Sequence, residues 1–129
     1  MRKVILMMLL AVSSSNAVAE WVEVGGNKDT TAYADLATIH KAGDRVKMWE
    51  LFDFKTARKL SNGELVMSMR GQVEYDCKEE QSRKLLVSYH SGNMGRGETV
   101  RAESDTRKWM PVPPETLVKT MWKTACGKQ

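Results

Sequence analysis

Along Leu65–Cys77 apolar and polar residues alternate: Leu65, Met67, Met69, Val73, Tyr75 and Cys77 against Ser68, Arg70, Gln72, Glu74 and Asp76. Successive side chains of a strand point to opposite faces, so this predicts a long strand with one buried and one solvated face. Arg45–Lys55 carries the same signal, with Val46, Met48, Phe52 and Phe54 on one face and Glu50 among them. Arg83–Ser91 alternates again, Leu85, Val87 and Tyr89 inward against Lys84, Ser88 and His90. Shorter strands are expected at Glu20–Val24, Thr30–Ala34 and Glu98–Glu103. Asp35 is placed to cap a brief helical turn at Leu36–Ile39, while Thr56–Gly63 and Gly92–Gly97 read as loops.

After Lys108 the period changes. Trp109–Pro114 is held extended by its prolines, and Pro114 suits the first residue of a helix. From there Leu117, Val118, Met121, Trp122 and Ala125 lie along one helical stripe. Glu115 in the first turn and Lys123 in the last would complement the helix dipole, and Gly127 stops the helix. Strands followed by one helix predict an α+β fold, an antiparallel β-sheet with the C-terminal α-helix packed on one face.

The start of the chain sets the compartment. Arg2 and Lys3, the apolar run Val4–Val12 and Ala17-Val18-Ala19 read together as a signal peptide over residues 1–19, cleaved after Ala19. One domain over residues 20–129 follows. No cysteine stands behind the apolar run to accept a lipid, and no later stretch is long and apolar enough to span a bilayer. A periplasmic or secreted protein is therefore expected. In that oxidising setting the two cysteines, Cys77 and Cys126, are expected to form a disulfide joining the long strand to the helix.

Charge and motifs narrow the function classes. The formal charge of +4 falls to about +2 without Arg2 and Lys3, and basic residues are interleaved with acidic ones. No nucleic-acid partner is expected from such a surface. Met67 and Met69, with Met48 and His90 nearby, carry donors suited to copper(I), but alternate core-facing positions accept Met as packing. Gly92–Gly97 resembles a phosphate loop only superficially, because a strand rather than a helix follows it. Glu74, Asp76, Glu79 and Glu80 cluster at a strand end interleaved with Lys78 and Arg83, the pattern of a solvated edge. No nucleophile elbow, zincin motif or Cys-x-x-Cys is present. Neither catalytic residues nor a metal or other cofactor are expected.

A set of residues spread over nearly all of 20–129 resembles the surface-adhesin protein E family of Gram-negative bacteria. It comprises Trp21, Tyr33-Ala34-Asp35, Val46-Lys47-Met48-Trp49 with Phe52-Asp53-Phe54, and Glu74-Tyr75-Asp76-Cys77. Arg83, Tyr89, Trp109, Pro111, Pro114 and Cys126 continue it in order. The resemblance implies an antiparallel sheet packed by a C-terminal helix with one disulfide. It also implies a non-catalytic binding module, of the kind that engages host extracellular-matrix and plasma proteins. An envelope protein partner or self-association is the alternative reading.

One helix covers one sheet face, and the face of Met67, Met69, Val73, Tyr75, Phe52 and Phe54 is assigned to it. Trp49, Leu51, Val66 and Leu86 have the opposite parity. They are expected to form a protein-contact patch, or else to be folded under the N-terminal strand or the loop Thr56–Gly63.

Overall fold

In the computed structural model, residues 19–127 are described; the signal peptide read from residues 1–19 lies almost wholly outside them. The strands are β1 (Val22–Gly26), β2 (Thr30–Ala42), β3 (Arg45–Lys59), β4 (Leu65–Asp76), β5 (Gln81–His90), β6 (Thr99–Glu103) and β7 (Met110–Pro111). They build one antiparallel meander in the order β1 to β6, with β7 pairing the start of β5. Helix α1 (Leu117–Cys126) lies across β1 to β4 on one face. The α+β architecture is as the residue pattern predicts, and Cys77 and Cys126 are bonded.

The core lies between sheet and helix, where apolar strand positions meet the α1 stripe. Ala32, Ala34, Val46, Met48, Val73 and Tyr75 pack from the sheet against Met121, Trp122 and Ala125. Burial at this density stabilises by roughly 1.5–3 kcal/mol for each large side chain. The Trp122 indole N–H donates to the Asp76 carbonyl at 3.0 Å, so the polar edge of the ring is satisfied inside the layer.

Three local expectations are corrected. Asp35 does accept a hydrogen bond from the Ala37 N–H, but inside β2 rather than at a helix start. Thr38 donates to the Asp35 carbonyl, and its hydroxyl accepts the Trp49 N–H at 3.0 Å. The capping chemistry is thus used to close a bulge between Asp35 and His40, because pairing with β3 resumes beyond it. The loop expected at Thr56–Gly63 is shorter, since β3 runs to Lys59 through a second bulge between Asp53 and Arg58. The helix starts later than expected: Thr116 is its N-cap, accepting from the Lys119 N–H at 3.2 Å. Pro114 and Glu115 stay outside, Glu115 with φ of 57°. At the other end Gly127 takes the left-handed conformation that a C-terminal cap requires, and donates to the Lys123 carbonyl.

A third bulge matters more for function. Gln72 pairs with Leu86 but Val73 pairs with Lys84, so Leu85 has no partner and the parity of β5 shifts there. Lys84, read from the sequence as solvated together with Ser88 and His90, is turned to the helix side. A bulge re-aims side chains in this way.

Candidate functional site

The face of the sheet away from α1 is covered in part by the chain's own Gly92–Gly97 segment. Ser68 Oγ donates to the Gly92 carbonyl at 2.7 Å and accepts the Gly95 N–H at 2.8 Å. Asp53 Oδ1 accepts from the Met94 N–H at 2.7 Å and from the Asn93 amide at 3.1 Å. Asn93 also donates to the Phe54 carbonyl. Every bond anchors the glycine-rich segment to β3 or β4. It brings Gly95 onto Leu51, where an added Cβ would lie 3.4 Å from Leu51 Cδ1.

The four residues read as a contact patch are therefore not one surface. Leu51 is 0% exposed beneath that segment, and Val66 is 1% exposed. Val66 borders the helix-side groove with Phe54 and Arg58, next to the β3 bulge. Neither of the two expected covers buries Leu51. The segment that does was assigned only as a hairpin loop, and the small polar residues that bond it, Ser68 and Asp53, give no sequence signal of their own.

Trp49 and Leu86 do remain together. They line an open groove of about 270 Å³ with Arg70, Ser88, Ala102 and Glu103. Trp49 is half-buried, Leu86 is 37% exposed, and the Arg70 guanidinium lies over the Trp49 ring at 5.0 Å. At the end of the groove Ser88 Oγ and His90 Nε2 are 2.8 Å apart. His90 is buried rather than solvated. Burial first, and the Arg70 charge second, hold its pKa below the ordinary histidine value.

A second aromatic on this face is clamped. The Trp109 ring lies between the Arg45 and Arg83 guanidinium groups, at 5.1 and 4.4 Å, and Arg83 is paired with Glu74 at 2.8 Å. Cation–π contact of this kind contributes about 0.5–1 kcal/mol at exposed sites. It fixes the segment that leads into β7.

On the helix side, Glu50 is the only carboxylate in the buried layer among the described residues. The Tyr75 hydroxyl donates to it. Burial pushes the Glu50 pKa up to about 7, opposed by the Tyr75 hydrogen bond and the Lys84 charge. Burial also raises the Tyr75 phenol well above its usual range. Among the described residues no group of three His, Cys, Asp or Glu side chains is arranged to hold a metal ion. No described helix is long and apolar enough to cross a membrane.

Among the described residues, a six-strand antiparallel meander with an added seventh strand, one C-terminal helix and one disulfide joining sheet to helix define the fold. The model of the surface-adhesin protein E family matches residues 21–127, and the chain belongs to that family. Crystal form II of Haemophilus influenzae protein E superposes with a TM-score of 0.63 at 11% identity, covering 88% of this chain and 92% of that one. A selenomethionine form gives 0.62 at 11% identity, over 88% and 91%. A further structure of the same protein gives 0.60 at 10% identity, over 91% of each. At such identity the likeness concerns the fold. A comparison with curated protein sequences found no match.

Proposed function

We propose that this chain is a non-catalytic binding module, exported and cleaved after Ala19, that contacts a protein partner through the groove of Trp49 and Leu86. Membership of the surface-adhesin protein E family supports an adhesin-like role. The observation that carries the surface is Trp49, half-exposed with Arg70 stacked on it, beside exposed Leu86 on a face that α1 leaves open. Tryptophan and arginine are among the side chains that most often dominate a protein interface, tryptophan through the large rigid area it buries and arginine through its planar, multiply donating guanidinium. The partner is a host extracellular-matrix protein or another envelope protein.

The test is Trp49→Glu with Leu86→Lys, compared with the parent for binding to immobilised matrix proteins and for mass by light scattering. Loss of association in a variant that retains its disulfide and thermal transition supports the reading. A folded variant that keeps every association of the parent refutes it. Intact mass of the exported protein tests the cleavage: the chain should begin at Glu20 without added lipid mass.

A further inference from the structure

The opposite side of the sheet carries a second, longer groove. Helix α1 begins only at Leu117, so it leaves the β5 side of the sheet and the far halves of β3 and β4 uncovered. Two contiguous hollows result. One of about 350 Å³ is walled by Phe52, Val73, Met110, Pro111 and Val118, with Glu50 and Tyr75 at its floor. The next, about 620 Å³, continues over Phe54, Met69, Tyr89 and Leu117, and the two share Phe52, Lys84 and Val118.

The rim is cationic. Lys84 and Lys108 border the first hollow, and Arg58, Lys59 and Lys84 the second. Lys59, Lys84 and Lys108 form no ion pair among the described residues. The carboxylates present are Glu50, buried at the floor, and Glu115 at the far end. Lys84 stands where the two hollows meet because the bulge at Leu85 turns it there, paired with Val73 and beside Phe52. Regular alternation would have left this exposed lysine on the other face, away from the groove.

We propose that this groove binds an extended acidic peptide segment of a partner protein, seating apolar side chains on Phe52 and Val73 and pairing a carboxylate with Lys84. An extended peptide alternates its side chains with period two, so apolar residues can face the floor while acidic ones face the cationic rim. The groove is open to solvent along its length, which suits a polypeptide with a polar outer face rather than a wholly apolar chain. It lies on the face opposite Trp49 and Leu86, so the two surfaces stand or fall separately.

The probe is a fluorescein-labelled octapeptide alternating leucine and aspartate, with a leucine–lysine counterpart, titrated into the full exported protein by anisotropy. The acidic peptide should bind saturably, and raising salt from about 50 mM to about 500 mM should weaken it, because exposed charge pairs are screened. Lys84→Glu should weaken binding by at least about tenfold, and Lys84→Met, which keeps the stem, should weaken it less. Lys41→Glu, an equal charge change at the far end of β2, should leave it unaltered. Equal affinity of the Lys84→Glu and parent proteins overturns the proposal. So does equal binding of the leucine–lysine peptide, or the absence of saturable binding by the acidic one while dodecanoate binds. Loss of binding by Trp49→Glu with Leu86→Lys, with Lys84→Glu unaffected, also overturns it, since the peptide would then occupy the other face.

Discussion

The Tyr75 hydroxyl donates a hydrogen bond to the Glu50 carboxylate within the buried layer between sheet and helix. Burial raises the Glu50 pKa from 4.5 to about 7. Between those values the folded chain holds a proton that the unfolded chain has lost, so stability falls as pH rises through this window and stays lower above it. Glu50→Gln preserves an acceptor for Tyr75 and removes the titration. The variant should match the parent near pH 4 and exceed it by roughly 3 kcal/mol near pH 8. Urea unfolding at the two pH values decides it; an unchanged difference between variant and parent would show that Glu50 titrates normally.

Gly71 interrupts the apolar face of β4 for a reason visible only across the strand pair. A Cβ there would stand 2.6 Å from the Leu86 carbonyl oxygen, which is backbone and cannot rotate away. Gly71→Ala should cost about 1–3 kcal/mol, the usual effect of overpacking a close contact. Thermal unfolding reads it, and a neutral result would mean that β4 and β5 can separate locally without penalty.

Asp53 holds the segment that covers Leu51, through Met94 and Asn93. Asp53→Ala leaves the partly buried Met94 amide without its carboxylate acceptor and should cost about 1 kcal/mol. Amide exchange at Met94 and Gly95 should quicken before that of β4. If their protection is unchanged, Ser68 and the Asn93 bond to the Phe54 carbonyl suffice to hold the segment.

The Cys77–Cys126 bond closes a separation of 49 residues and ties the last residue of α1 to the end of β4. Cys126→Ser should lose about 2–5 kcal/mol, the range found when a native disulfide is removed from a small secreted domain. The helix should loosen first, read as a change in Trp122 emission at denaturant concentrations where the sheet persists. Simultaneous loss of both signals would show that sheet and helix melt as one unit.

Much of this fold is legible along the chain, because its information is local and periodic. Alternation over Leu65–Cys77 and Arg45–Lys55 marks the central strands and their core-facing residues, and Met48, Val73 and Tyr75 are buried as that parity requires. The stripe Leu117–Ala125 and its terminal glycine mark the helix. The cysteine pair follows from compartment and count, with no geometry needed.

The surfaces were decided elsewhere. The bulges within β2, β3 and β5 break strict alternation by leaving residues unpaired, and where they fall depends on which hydrogen bonds the neighbouring strand can close. That choice turns Lys84 to the helix side and brings Val66 to the edge of its groove. Burial of Leu51 depends on a glycine-rich segment more than 40 residues away, held by Ser68 and Asp53. Periodicity states which residues share a strand face; it carries no term for what a distant segment lays over that face. Of the four patch residues, tertiary packing therefore left only Trp49 and Leu86 accessible in the open groove.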